Sequence, residues 1–375
     1  MIQSAFTRTA GLVGGRHILA IQDTTCLRSD GDQYSIQAHP TIGVDAQSGA
    51  LLGLVHADIL VREGGMKEQR RHRAFEDKES RRWLDGARAA AGLLEHSACH
   101  VTVVADRESD IYESFCQRPE GVDMVVRSGH NRRLETGSCL FEHLSTAPQA
   151  GQFDLDIAAK PGQSARRAKL AVRFCPVDLL RPKSRGKSDL PDKVELYAVE
   201  LIEIEAPKGT KPIHWRLLTS HVVDSFDKAR WISHLYRQRW IIEEVFRTLK
   251  TRGFDIERVS IAQEPFEKLA IVALLAAISV MQLVKARDGT TSRPLNDVFQ
   301  LHEQEGLETL SKSLEGKTQK QKNPHPRGSL AYAAWVCARL GGWTGYYGKP
   351  GPIVMLKGMH RLRAIQKGWA ILENV

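Results

Sequence analysis

The chain has 375 residues, of which 53 are Lys or Arg and 44 are Asp or Glu, so its formal net charge is +9. Hydrophobic residues make up 42% and charged residues 26%, which excludes a disordered tail, a collagen-like repeat and a membrane bundle. The length and the basic charge predict a globular protein of two or three structural units with a polyanionic partner.

Cysteines and apolar runs indicate the compartment. The six cysteines include no C-x-x-C pair, so neither a disulfide framework nor a zinc ribbon is predicted. His96 and His100 have H-x₃-H spacing without a further zinc motif, so no zinc site is predicted there either. The apolar stretch 269–284 has 16 residues, fewer than the roughly 18–20 that span a bilayer. We expect a cytoplasmic protein with no membrane partner.

Strand patterns dominate the first 126 residues. Turn-forming residues at 45–49 join two of the strands, and a meander of the first three strands is predicted. A helix with Ser80 as its N-cap extends to about residue 96. Asp23 and Asp106 follow the first and the last strand. The predicted strands are residues 17–21, 35–44, 51–61 and 100–105.

The composition changes after about residue 127. Four segments alternate apolar and polar residues, which predicts an antiparallel unit. The basic loop 181–188 and the Lys-rich passage 312–327 either contact phosphates or are merely solvated. The four strand segments are residues 153–158, 167–174, 194–204 and 215–219, and helices are predicted at 226–250, 266–284 and 360–372.

The predicted helix 226–250 carries a polar stripe. At about 100° per residue, Tyr236, Arg239, Glu243 and Lys250 fall within an arc of roughly 60°, and an apolar stripe lies about a right angle away. Such a helix can bury one side and present the other to a site. An ordinary amphipathic helix with solvated charges has the same pattern.

Asp23 and Asp106 each follow an apolar strand, and ligand sites of open α/β sheets collect at the carboxyl ends of strands. Alone, each aspartate is also typical of a turn or a helix N-cap. If the strands are neighbours, the two carboxylates and an acidic residue of the helix form a cluster suited to Mg²⁺. Two such ions about 3.5–4 Å apart serve in-line phosphodiester displacement.

The spacing Tyr236-x₂-Arg239-x₃-Glu243-x₆-Lys250 matches the YREK signature of a large class of bacterial insertion-sequence DDE transposases. The order of a strand with Asp23, a strand with Asp106, a β-rich insertion and the YREK helix also resembles that class. The resemblance extends over residues 17–362.

The resemblance implies a ribonuclease-H-like catalytic domain in which Asp23, Asp106 and Glu243 are catalytic and bind metal. Glu244 is the neighbouring competitor, and only the motif spacing selects Glu243. The implied cofactor is Mg²⁺ or Mn²⁺, with two ions per site.

The resemblance further implies that Tyr236, Arg239 and Lys250 bind DNA phosphates beside the scissile bond. Trp215 is at the position where hairpin-forming members hold a base turned out of the duplex by stacking, which contributes about 1–3 kcal/mol per base. A core Trp at the start of a buried strand is the open alternative.

The fold class expected is α/β, with a ribonuclease-H-like mixed sheet flanked by helices, a β-rich insertion and a mainly helical C-terminal region. The expected function is a DDE transposase that cleaves double-stranded DNA at transposon ends and transfers the strand to target DNA. A homodimer is expected in the DNA synapse, at the bacterial nucleoid. The expected domains are a catalytic core of 1–126 and 221–287, an insertion of 127–220 and a C-terminal region of 288–375.

The resemblance has one departure, and two alternatives stay open. Family members usually carry an N-terminal DNA-binding domain, whereas 22 residues precede Asp23, so we expect that domain to be lacking. A separate upstream reading frame, a truncated element or a shortened inhibitory product would each explain this. The alternative functions are a stand-alone Mg²⁺-dependent DNA nuclease and a truncated, non-catalytic DNA-binding or inhibitory relic.

Overall fold

The computed structural model describes residues 1–30, 34–63, 79–157, 164–183, 189–290 and 293–372. The strands within these ranges are β1 (His17–Gln22), β2 (Thr25–Asp30), β3 (Tyr34–Asp45), β4 (Leu51–Glu63), β5 (His100–Ala105), β6 (Val122–Arg127), β7 (Gln149–Ile157), β8 (Arg166–Leu180), β9 (Lys193–Ile204) and β10 (His214–Thr219). The α-helices are α1 (Ile2–Ala10), α2 (Arg82–Glu95), α3 (Tyr112–Cys116), α4 (Leu140–Thr146), α5 (Phe226–Arg237), α6 (Trp240–Lys250), α7 (Gln263–Ala286), α8 (Leu301–Gln304), α9 (Leu307–Leu314), α10 (Leu330–Leu340) and α11 (Pro352–Leu372).

The chain divides into two compact units, each built from segments that are distant in the sequence. The first unit consists of Met1–Arg16, Thr24–Gly65 and Trp240–Val375, and the second of His17–Asp23 and Met66–Arg239.

A mixed sheet forms the centre of the second unit. Its strands β1, β5 and β6 pair in parallel, and β10, β9, β8 and β7 continue it as antiparallel neighbours. All residues from Val101 to Ala105 of β5 are buried. This is expected of a strand that is covered on both faces. Helix α2 packs on β1, β5 and β6, and α5 packs on β5, β6, β8 and β9. The predicted α/β class, a mixed sheet flanked by helices, is confirmed.

The first unit contains an antiparallel meander of β2, β3 and β4. The turn between β3 and β4 is held by Asp45, whose Oδ1 accepts the N–H groups of Gln47 and Ser48 at 3.0 and 2.8 Å. Gly49 completes it at a φ of 68°, where a residue without Cβ is favoured. The turn predicted at 45–49 is therefore confirmed.

Helix α7 is the core helix of the first unit. It packs against β4, α6, α10 and α11, and Gln282 donates a hydrogen bond to the carbonyl of Leu52 at 2.7 Å. By length and composition alone this helix could cross a membrane, but 61% of its most apolar window is buried within the protein. The sequence prediction of a buried helix is confirmed.

The single helix predicted for 226–250 is wrong. Helix α5 ends at Arg237 and α6 begins at Trp240. Between them, the N–H groups of Gln238 and Arg239 bond the carbonyls three residues earlier, at 3.1 and 3.0 Å, which is the tighter turn typical of a helix end. The predicted polar stripe is thus divided between two helices.

Three smaller predictions also need correction. The first meander included β1 and missed β2, whose last three residues are polar and partly or fully exposed. Ser80 is not the N-cap, because it lies in a 3₁₀ turn (Glu79–Arg81) and α2 starts after Arg81. The C-terminal helix begins at Pro352 rather than near residue 360, since proline suits the first position of a helix.

Candidate carboxylate site

Asp23 and Asp106 occupy equivalent positions on neighbouring parallel strands. In the register of β1 and β5, Ile21 pairs with Val104, and each aspartate comes two residues later. Paired strands lie about 4.8 Å apart. The two aspartates therefore follow neighbouring strands at the same edge of the sheet.

Asp106 also shapes the chain that follows it. Its Oδ1 accepts the N–H of Glu108 at 2.9 Å, so it caps the 3₁₀ turn Arg107–Ser109. This agrees with the N-cap alternative raised from the sequence and fixes the side chain at the strand end. The cap uses one of the two carboxylate oxygens of Asp106.

Asp23 is ion-paired with Arg239. The Nη1 of Arg239 lies 2.6 Å from Oδ2 of Asp23, and the two side chains are 8% and 15% exposed. A bond between two ions at this distance is among the stronger hydrogen bonds in proteins. The guanidinium thus offsets the charge of Asp23 and fixes its direction.

Tyr236 lies one turn before Arg239 and is buried. Burial raises its pKa, and Arg239, Arg127 and Asp106 are the charges that act on it. The phenol is therefore neutral near pH 7 and can donate a hydrogen bond. Its ring meets that of Trp215 edge to face, with centroids 5.5 Å apart at 66°.

The alternation of side chains along β10 sets the direction in which Trp215 points. Its neighbours His214 and Arg216 bond the same oxygen of Glu200 on β9, at 2.8 and 2.9 Å, and Glu200 is buried. Because successive side chains of a strand point to opposite faces, Trp215 points to the other face, where Tyr236 lies. Trp215 is half-buried rather than a fully buried core residue.

Glu243 and Lys250 are on α6, in the first unit. Glu243 is half-buried. Its neighbour Glu244 faces Lys285 of α7 at 3.7 Å, and Lys250 pairs with Glu257 at 3.0 Å. The second unit thus gathers Asp23, Asp106, Tyr236, Arg239 and Trp215, whereas the meeting of Glu243 with the aspartates stays a prediction.

A family model described as "Transposase DDE domain" matches residues 23–280. The chain belongs to this transposase family. The match begins at Asp23 and includes Asp106, Glu243 and the two helices that replace the predicted single one. It gives the chain a transposase function in general terms, and the mixed α/β sheet agrees with the ribonuclease-H-like fold expected from the resemblance.

The donor set of this transposase suits a hard divalent cation. Two aspartates at adjacent strand ends offer the oxygen ligands that Mg²⁺ and Mn²⁺ prefer. Carboxylates brought close together repel one another unless a positive charge intervenes. In the structure the cation beside Asp23 is Arg239, so the site is already organised around a positive charge.

Asp110 ends the 3₁₀ turn that Asp106 begins, and its wider role could not be seen in the sequence. Its buried carboxylate accepts the N–H groups of Gly129 and His130 at 2.8 and 2.9 Å, and Arg132 Nε at 2.8 Å. These bonds tie the segment after Asp106 to the loop after β6. Their sequence separations of 19 to 22 residues form no motif, so no local pattern could have revealed them.

Of the two basic segments of this transposase, the first is only partly described. In the loop predicted at 181–188, Arg181 bonds the carbonyl of Leu190 at 2.9 Å and the carboxylate of Asp192 at 2.5 Å. The rest of that loop, 184–188, lies outside the described residues. Within 312–327, α9 ends at Leu314 and a 3₁₀ turn forms at Gln319–Gln321.

Proposed function

We propose that this protein is a DNA transposase that hydrolyses a phosphodiester at a transposon end and transfers the exposed 3′ hydroxyl to a second strand. The observation that carries the proposal is the matched position of Asp23 and Asp106 at the ends of two paired parallel strands, within a chain of the transposase DDE family. The net charge of +9 supports a phosphate-rich substrate.

Asp23, Asp106 and Glu243 are the proposed ligands of Mg²⁺ or Mn²⁺, two ions per site. When bound, such ions activate the attacking oxygen and stabilise the leaving oxygen of an in-line displacement. Burial and the contact with Arg239 hold Asp23 in one orientation, and the bond to Glu108 does the same for Asp106. The protein thus fixes both carboxylates before DNA arrives, which lowers the cost of assembling the site.

Arg239 and Tyr236 are the proposed phosphate ligands of the second unit. Arg239 bonds Asp23 through Nη1, and a guanidinium presents five N–H donors in a planar fork, a geometry that suits contacts to Asp23 and to a phosphate from one side chain. The neutral Tyr236 supplies a further donor beside it. We assign Lys250 the role of a point charge for phosphate and Trp215 that of a stacking surface for an unpaired base.

We further propose the domain division expected from the sequence, with a catalytic core of 1–126 and 221–287, an insertion of 127–220 and a C-terminal region of 288–375. The antiparallel strands β7 to β10 support the β-rich character of 127–220. Synapsis of two DNA ends calls for a homodimer on the DNA, and the substrate places the protein at the bacterial nucleoid.

The experiment uses a supercoiled plasmid that carries the gene with its natural flanking DNA, incubated with purified protein and Mg²⁺ or Mn²⁺. The variants are Asp23→Asn, Asp106→Asn and Glu243→Gln, and Glu244→Gln is the matched control because it neutralises the adjacent carboxylate. We expect wild type and Glu244→Gln to nick and join DNA, and the three other variants to lose both activities while still binding DNA.

Equal activity in all five proteins would remove the carboxylate mechanism. Hydrolysis without joined products in wild type would favour the stand-alone nuclease over the transposase. DNA binding without any cleavage would favour the inhibitory relic.

A further inference from the structure

Three histidines meet at the opposite end of the same strands. His17 begins β1 and His100 begins β5, and the two are register partners. His221 lies two residues after the end of β10. One ring nitrogen from each histidine lies within 4.8 Å of the others, although the residues are far apart in the sequence.

Thr102 links two of these rings. Its Oγ1 lies 2.8 Å from Nε2 of His17 and 2.9 Å from Nε2 of His221. Thr102 is two residues after His100, so both side chains are on one face of β5. Both Nε2 atoms are thus directed at one hydroxyl, and an ion bound by them would take the place of these two hydrogen bonds.

A carboxylate lies beside the cluster. Oδ2 of Asp123 is 2.9 Å from Nε2 of His100 and 3.4 Å from Nδ1 of His221, and the hydroxyl of Ser220 donates to Oδ1 at 2.6 Å. Histidines that bind metal commonly direct their other ring nitrogen to a carboxylate, which fixes the tautomer. For His221 the carboxylate lies at Nδ1, so Nε2 would bind the ion in exchange for its bond to Thr102.

The protonation state of His221 also suits a ligand. Burial lowers its pKa to about 4, although the charge of Asp123 acts in the opposite direction. The ring is therefore neutral near pH 7, and only a neutral imidazole binds metal.

We propose that His17, His100 and His221 bind one Zn²⁺ ion, with Asp123 orienting the rings. Zinc binds histidine nitrogen at about 2.0–2.1 Å, so two nitrogens on one tetrahedral ion are about 3.3 Å apart. Rotation of side chains closes the remaining distance. A set of imidazoles favours zinc over the hard cations that carboxylates bind.

This site is separate from the carboxylates. Asp23 is six residues beyond His17, which corresponds to about 20 Å along a strand. An ion at the histidines would join β1, β5 and the segment between β10 and α5. Trp231 of α5 covers it, with ring centroids 5.7 Å from His17 and 5.0 Å from His221. An ion there would fix the starts of the strands that end at the aspartates, and water would fill its fourth position.

Full-length protein is first stripped of metal with a chelator and placed in excess Mg²⁺, which saturates the carboxylates. Zn²⁺ is then titrated into it. A chromophoric chelator reports affinity, and Co²⁺ substitution reports geometry through its visible absorption. The variants are His17→Gln, His221→Gln and Asp123→Asn. His96→Gln is the matched control, since His96 is exposed and shares the H-x₃-H spacing with His100 that the sequence shows.

We expect one equivalent of Zn²⁺ to bind wild type and His96→Gln equally, with a rise in melting temperature. Both histidine variants should bind at least tenfold more weakly, and Asp123→Asn about 10–100-fold more weakly. Circular dichroism and melting of the metal-free proteins show that the variants are folded. The proposal is overturned if wild type fails to bind Zn²⁺ at micromolar concentration, if folded His17→Gln and His221→Gln bind like wild type, or if His96→Gln alone loses the ion.

Discussion

Arg239 bonds Asp23 through Nη1 and Oδ2 at 2.6 Å, with both side chains largely buried. The contact joins the residue that directly follows strand β1 to the turn that ends α5. It places a permanent positive charge beside one of the two aspartates that follow the paired strands β1 and β5. Arg239 is thus a positioning residue for Asp23 in addition to its proposed part in holding phosphate.

Arg239→Gln should destabilise the protein. It leaves the charge of Asp23 buried without its partner, and breaking a buried ion pair costs about 3–5 kcal/mol. The free energy of unfolding, measured by urea denaturation without divalent ions, should fall by an amount near the lower figure. Asp23→Asn combined with Arg239→Gln should recover part of this loss, whereas additive losses would show that the pair is not coupled. Arg230→Gln, on the exposed side of α5, is the control.

The strands that carry the aspartates could be predicted because their local pattern is strong. Residues 17–21 and 100–105 are short apolar runs with an aspartate after each, and β1 and β5 are found there. Their pairing could not be predicted, because register depends on contacts between segments 83 residues apart. The same register brings His17 beside His100. Because the histidine cluster depends on that pairing, neither segment alone indicates it.

The break between α5 and α6 was missed for a different reason. Helical periodicity continues across Gln238 and Arg239, since a short tight turn shifts the phase of the pattern only slightly. What distinguishes Arg239 is its bond to Asp23, 216 residues earlier in the chain. β2 was missed because its exposed end is polar and resembles a loop.

Tyr236→Phe and Trp215→Ala should separate packing from DNA binding. Tyr236→Phe keeps the ring contact with Trp215 and loses the phenol hydroxyl with its bond to Arg239, so strand cleavage should slow while the melting temperature falls by only a few degrees. Trp215→Ala removes a stacking surface. If one base stacks there, the rate of cleavage should fall about tenfold. Trp215→Phe should restore most of that loss. Unchanged cleavage in Trp215→Ala would limit Trp215 to packing.

Asp110→Ala should lower the free energy of unfolding by about 3–5 kcal/mol. The change leaves the guanidinium of Arg132, 8% exposed, without its carboxylate, and it frees two backbone N–H groups. Asp156→Ala is the control, because its ion pair with Arg167 is mostly solvent-exposed, and it should barely change the melting temperature. A similar small effect in both variants would contradict the structural role of Asp110.

Thiol alkylation should follow burial. Burial raises the pKa of Cys175 to about 11 and that of Cys337 to about 12, whereas Cys99 is exposed. Since the thiolate is the reactive form and reagents reach exposed thiols first, iodoacetamide at about pH 8.5 should label Cys99 before the two buried cysteines. Cys175 should react faster as the pH rises towards 11, and Cys337 only after unfolding. Labelling of Cys337 as fast as Cys99 would contradict its place in the core.

In the proposed mechanism, Asp23, Asp106 and Glu243 share divalent ions. Fe²⁺ substituted for Mg²⁺, with ascorbate and peroxide, generates radicals that cut the polypeptide beside the bound ion, and mass spectrometry maps the cuts. We expect cuts near residues 23, 106 and 243 together, all suppressed by excess Mg²⁺ and by Asp106→Asn but not by Glu244→Gln. A shared site is contradicted if wild type shows no cut near residue 243, while the cuts near residues 23 and 106 persist in Glu243→Gln.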